Sequence, residues 1–309
     1  MRYSILIPVY NRYEEPKLLL DSIFATADKT RIDKILLIDD GSTEEEVRMV
    51  AGLFEHVLPI QYLRVAHAGP VKAINAGLKQ VATDYVVVIS SDAQVVSREM
   101  LVQSKVMRDP DIAQDPLGYL VSILNRLDEV GLVAPTILVK EAFDRVLTLD
   151  YSFTVPLANQ HPNGLLLFTT QILTWPGFKM KSVQSVRGTC VAFKTSLIDE
   201  GNGPQLDESI HPWFRWTDDL CTRIRAKGYW CIMTSRACVA HDIYSDQPEG
   251  SFSVITRQEY EEVNARFRAK WKDHAELLDP RSIIRPVAKQ LVVTVDNFLD
   301  LVNRSIGRR

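Results

Sequence analysis

Short apolar runs alternate with helically spaced apolar positions through the first hundred residues. Residues 3–7 form an apolar run stopped by Pro8, and residues 16–26 then place Leu19, Leu20, Ile23 and Phe24 at helical spacing. Residues 34–38 predict a second strand, ended by Asp39-Asp40-Gly41-Ser42. A helix is expected to follow, with Ser42 as its N-cap and Glu45 completing a capping box. Residues 59–64 predict a third strand and 71–81 a helix. Residues 85–89 predict a fourth strand, whose unbroken hydrophobicity suits a position covered on both faces. This alternation predicts an α/β fold built on a mostly parallel sheet with right-handed crossovers.

The pattern loosens further on. Residues 117–127 predict a helix and 131–139 a strand, while 151–181, rich in Pro, Asn, Gln and aromatics, read as a long binding loop. Order returns at 186–193, and 218–227 is a polar helix ending at Gly228. Residues 256–309 are expected to be helical and amphipathic, broken by Pro280 and Pro286. The expected organisation is a ligand-binding half over 1–98, a second half of the same domain over 99–250, and a helical extension over 251–309.

Composition narrows the class. With 309 residues, 46% apolar and 24% charged, the chain is neither disordered nor fibrous. Lys plus Arg is 36 against 39 for Asp plus Glu, and a net charge of −3 argues against a nucleic-acid partner. Apolar runs such as 85–89 and 165–168 fall far short of the ~20 residues that span a bilayer. The first residues lack a long apolar region followed by a small-residue cleavage site, so no signal peptide is expected. Cys190, Cys221, Cys231 and Cys238 read as free buried thiols, and a cytoplasmic setting is expected. With His241 they lack the paired Cys-x₂-Cys knuckle of a zinc site.

In an open parallel sheet, ligands bind beyond the carboxyl ends of the strands. Those ends carry Pro8-Val9-Tyr10-Asn11, Asp39-Asp40-Gly41-Ser42, His67-Ala68-Gly69-Pro70 and Ser90-Ser91-Asp92. Each alone is ordinary turn chemistry. In succession they point to a site. Neither Gly-x-Gly-x-x-Gly after the first strand nor a Gly-Lys-Ser/Thr phosphate loop is present, so a nucleotide would be held in some other way.

Residues 4–11 (SILIPVYN), 37–42 (LIDDGS), 69–77 (GPVKAINAG) and 84–92 (DYVVVISSD) together resemble the nucleotide-sugar-binding half of the family 2 glycosyltransferases, which have the GT-A fold. The likeness covers residues 3–95 and resumes at 187–193, Asp207-Glu208 and 218–241. It implies an inverting transferase that moves a sugar from a nucleotide-diphosphate sugar to a saccharide or lipid-linked acceptor in surface-polysaccharide assembly. It also implies a divalent cation, Mn²⁺ or Mg²⁺, that eases departure of the diphosphate. By position Asp92 inherits the key metal carboxylate, Ser90 replaces a further acid, and His241 stands on the metal side. Pro8, Val9, Tyr10 and Asn11 would meet base and ribose, with Asp40 accepting the imide N–H of a UDP- or dTDP-type donor. Gly69, Lys72, Asn75 and Ser91 complete the implied donor site, although Ile74 stands where relatives often carry Arg.

An inverting transferase needs a carboxylate within reach of the acceptor hydroxyl. Relatives carry it shortly before an Asp-Leu-x-x-Arg helix, but aligning Asp219-Leu220 with that motif puts Thr217 at the usual position. The base therefore falls to Asp218, with Asp219 as the alternative, and Asp207 is a further acid nearby. His211, Trp213 and Trp216, with Trp175, are candidates to meet an acceptor sugar, although such aromatics are more often packing residues. The basic and apolar positions between Arg281 and Arg309 are expected to pack on the core, to form a homodimer or to make a peripheral membrane contact, with packing or dimerisation favoured because Asp296 and Asp300 interrupt the basic face. A nucleotidyltransferase would need a Gly-rich basic loop after the first strand, which is missing, whereas a binding-only relative would keep the nucleotide half and lose the base.

Overall fold

The computed structural model describes residues 1–43, 45–103, 112–141, 145–149, 180–199, 201–210, 215–241 and 257–278. The expected loop at 151–181 falls almost wholly outside them, as do Trp175, His211, Trp213 and the tail from 279 onward.

The first half follows the sequence pattern closely. Strand β1 (Tyr3–Val9), helix α1 (Glu14–Thr26), β2 (Ile32–Asp39), α2 (Glu46–Phe54), β3 (Ile60–Arg64), α3 (Pro70–Leu78) and β4 (Tyr85–Ile89) alternate. β2, β1 and β4 run parallel and adjacent, and β3 adds to the outside of β2, also parallel. Ile5, Leu6 and Ile7 of β1 and Val86 to Ile89 of β4 are buried, because helices cover both faces of these central strands. Leu19, Leu20 and Ile23 of α1 join the same core, each such side chain contributing about 1.5–3 kcal/mol by burial.

The chain then forms β5 (Ala93–Val95), α4 (Arg98–Gln103), α5 (Pro116–Arg126), β6 (Val130–Glu141), β7 (Arg145–Leu149), β8 (Met180–Ser182) and β9 (Cys190–Lys194). Helix α6 (Trp216–Ala226), β10 (Trp230–His241), α7 (Arg257–Lys270) and α8 (Ala275–Leu278) follow. The sheet order is β3-β2-β1-β4-β9-β6-β10-β5, with β7 on β6 and β8 on β10. Antiparallel β9 joins β4 to β6, so the two halves expected from the sequence share one sheet. The sheet is parallel in its first four strands and mixed beyond them. β5 returns antiparallel to the end of β10, pairing Ala93 with His241.

The expected capping box does not form. Helix α2 begins at Glu46, with Glu45 at its N-cap position and no side-chain cap. The Ser42 hydroxyl instead accepts the Asn11 N–H at 2.8 Å. A contact between neighbouring strand ends takes the place of a local cap.

Candidate active site

The ends of β1, β2 and β3 are tied into one rim. Asn11 Oδ1 accepts the Thr43 N–H at 2.8 Å, and Asp39 Oδ1 accepts the Ser42 N–H at 2.7 Å. The other Asp39 oxygen takes the Tyr62 hydroxyl and, at 3.1 Å, the Arg64 guanidinium. Fully buried Asp39 is thus paired and hydrogen-bonded, as a buried charge must be.

Asp40 is placed differently from the sequence expectation. Its side chain is only 3% exposed, and its two oxygens accept the N–H groups of Ala68 and Gly69, each at 2.9 Å. His67 covers it, with Nδ1 3.0 Å from Asp40 Oδ2 and 2.9 Å from the Asp40 carbonyl oxygen. Both neighbours are acceptors, so Nδ1 carries the hydrogen. A base edge has almost no carboxylate surface to meet here: Asp40 shapes the loop after β3. Tyr10 stacks on the His67 ring at 4.2 Å and 24°. That stack was not legible in the sequence, where the two residues stand at the ends of different strands.

Asn75 also departs from its expected place at the donor. It is buried, its amide donates to the Leu206 carbonyl at 3.0 Å and to Glu208 Oε1 at 2.8 Å, and its Oδ1 accepts the Leu206 N–H at 2.7 Å. Its amide clamps the 206–208 loop to α3. Lys72 stands exposed in the first turn of α3, after Gly69 at its N-cap, while Pro8 and Ser91 are half-buried and Val9 is buried.

Asp92 and His241 do come together. His241 Nε2 lies 3.2 Å from Asp92 Oδ2, the side chains being 18% and 20% exposed. Ser90, where the resemblance implies an acid, donates its hydroxyl to Asp92 Oδ1. Burial pushes the Asp92 carboxyl up, but the His241 and Ser90 interactions outweigh it and hold the pKa below the ordinary value. His241 Nδ1 is buried with no hydrogen-bond partner among the described residues. An oxygen and an imidazole nitrogen this close fit one divalent cation, and such a mixed donor set suits Mn²⁺ better than Mg²⁺. No group of three His, Cys, Asp or Glu gathers for a metal among the described residues. The cysteines are free and buried, and no zinc cluster forms among them.

Helix α6 carries Asp218 and Asp219 in its first turn. Asp218 is 25% exposed and lies 3.5 Å from Arg215. Asp219 is 3% exposed, and one of its oxygens is 2.7 Å from Lys270 Nζ and accepts the Trp271 indole N–H at 2.8 Å. Burial raises the Asp219 pKa above the ordinary carboxylate value despite those partners. Only Asp218 of the pair offers accessible carboxylate surface. Trp216, a candidate for the acceptor, is buried, with its indole against Gly188, where an added Cβ would sit 2.9 Å from the ring. It is a packing residue. Lys270 and Trp271 escaped sequence reasoning, because nothing local in an amphipathic tail marks its partners.

The model of Glycosyl transferase family 2 matches residues 4–114. That stretch is a family 2 glycosyltransferase domain. The chain is 31% identical over 134 residues to an undecaprenyl-phosphate 4-deoxy-4-formamido-L-arabinose transferase of Klebsiella pneumoniae (strain 342), covering 42% of this chain and 39% of that protein. An uncharacterized glycosyltransferase of Rickettsia felis is 29% identical over 118 residues, covering 38% of this chain and 19% of that protein. The chain thus spans well under half the length of these relatives. Among solved structures, the fold matches S. aureus TarS in complex with UDP at a TM-score of 0.52 and 15% identity, covering 85% of this chain and 63% of that one. It matches the Pyrobaculum calidifontis mannosyltransferase PcManGT, in complex with GDP-Man and Mn²⁺, at a TM-score of 0.53 and 16% identity, covering 96% and 80%. The family 2 domain therefore sits in a GT-A fold. Among the described residues, no helix is long and apolar enough to cross a membrane.

Proposed function

We propose that this family 2 domain works in an inverting glycosyltransferase, which moves a sugar from a nucleotide-diphosphate donor to a saccharide or lipid-linked acceptor. The observation that carries the reading is the Asp92–His241 pair at the carboxyl end of β4, beside the tied ends of β1, β2 and β3. Relatives named for lipid-linked transfer, and a fold shared with proteins solved with UDP and with GDP-Man, support the substrate class.

In this reading the rim from Tyr10 to Gly69 receives the nucleoside, and Asp92 with His241 holds a divalent cation. That ion, when bound, offsets the charge of the departing diphosphate. Asp218 accepts the acceptor proton as the acceptor oxygen bonds the anomeric carbon, and the bond to the diphosphate oxygen breaks with its electron pair. One displacement inverts the anomeric centre. The preference for a pyrimidine donor loses its direct support, because the Asp40 carboxylate is covered.

Isothermal titration of the chain with UDP, dTDP and GDP, with and without Mn²⁺, tests the reading. Mn²⁺-dependent binding of one of them, lost in Asp92→Ala, is expected. Absence of binding across the panel overturns it.

A further inference from the structure

We propose that Lys270 is a positioning residue for sugar transfer: from α7 it clasps Asp207 and Asp219 and so fixes the turn that presents Asp218. The inference rests on the transferase reading above. Lys270 Nζ lies 2.6 Å from Asp207 Oδ2 and 2.7 Å from Asp219 Oδ1, so one cation joins two carboxylates from separate segments. Asp219 is buried, and a buried carboxylate persists in a fold only with partners such as these. Trp271 supplies the second, through its indole N–H.

The same helix face also holds the residue that leads into α6. Arg215 has φ 67°, a left-handed conformation that is costly for a residue with a side chain. Its Nε donates to Asn264 Oδ1 at 2.8 Å, and its guanidinium lies 5.3 Å from the centre of the Phe267 ring. Arg215 in turn stands beside Asp218. Asn264, Phe267, Lys270 and Trp271 follow one another at the spacing of one helix face. They hold both flanks of Asp218: the strained residue before it and the buried carboxylate after it. Asp207 is anchored from its own side as well, since the neighbouring Leu206 is clamped by Asn75.

A clasp of this kind governs the geometry of the transfer step, not the holding of the nucleotide. Misplacement of a reacting group by about 1 Å can cost on the order of a hundredfold in rate. Lys270→Met, Lys270→Arg and Trp271→Phe are compared in the full chain, by titration with UDP and GDP and by nucleoside-diphosphate release from UDP-GlcNAc and GDP-mannose with water as acceptor. Lys270→Met is expected to lower kcat on the order of ten- to a hundredfold, with donor KM and nucleotide Kd within about twofold of wild type. Lys270→Arg restores most of the rate, because it keeps the charge. An unchanged kcat in Lys270→Met, or a loss of rate matched by an equal loss of nucleotide affinity, overturns the inference. If Lys270→Met fails to fold, Trp271→Phe, which removes one hydrogen bond, carries the test with the same split between kcat and affinity. A wild-type chain that binds no nucleotide and releases none overturns the transferase reading itself, a failure distinct from an active wild type indifferent to Lys270.

Discussion

His241 Nε2 lies 3.2 Å from Asp92 Oδ2, brought there by the antiparallel return of β5 onto the end of β10. The two residues come from opposite halves of the chain, and the register that pairs Ala93 with His241 sets their approach. Asp92→Ala is expected to abolish Mn²⁺-dependent nucleotide binding. His241→Ala is expected to weaken Mn²⁺ affinity on the order of ten- to a hundredfold, as read by titration calorimetry.

Ser90→Ala removes the hydroxyl that donates to Asp92 Oδ1 while leaving the Ser90 N–H on the Thr189 carbonyl at 2.8 Å. A hydrogen bond to a charged group is worth about 1.5–3 kcal/mol. The variant is expected to fold normally and to bind Mn²⁺ on the order of tenfold more weakly. Unaltered Mn²⁺ affinity would show that Ser90 does not orient the carboxylate.

Asn75→Ala leaves the Leu206 N–H without the acceptor at 2.7 Å and the Leu206 carbonyl without its donor. Stranding buried polar groups costs about 1–3 kcal/mol each. Thermal denaturation is expected to show a loss of about 2–4 kcal/mol. A loss below about 0.5 kcal/mol would contradict the clamp.

Gly41 has φ 72°, and a Cβ there would sit 2.7 Å from the His67 backbone nitrogen. Gly41→Ala meets both a strained backbone and a backbone atom that cannot swing aside, and is expected to cost about 1–3 kcal/mol. The same push on His67 should disturb the Tyr10 stack, so nucleotide affinity, measured by titration, is expected to fall with stability.

The Asp207 carboxyl is pushed up by burial, but its bonds with Lys270 and Ser209 outweigh this and hold its pKa below the ordinary value. A depressed folded pKa contributes stability that is complete above the unfolded value, about 4, and is lost as pH falls through the folded one. Asp207→Asn is therefore expected to cost about 0.5–1 kcal/mol at pH 7 and progressively less as pH falls below about 4, compared by urea denaturation. A cost that does not change with pH would remove the ion pair as its cause.

The sequence by itself determined the parallel half of the fold. Apolar runs such as residues 85–89 specify strands buried on both faces, because no other short element hides so continuous a run, and β4 has the bounds expected of it. It also placed the polar residues at the strand ends, since chain direction in a parallel sheet puts every such turn on one edge. Tertiary structure decided what those side chains do. Asp40 and Asn75 carry the right chemistry for a ligand, yet their partners lie on other elements, and the buried contacts at Ala68, Gly69 and Leu206 commit them to the protein. The choice between Asp218 and Asp219 was equally closed to the sequence. Adjacent residues on a helix point about 100° apart, so one faces the core and the other the solvent, and only the packing of α7 with Lys270 shows which is which.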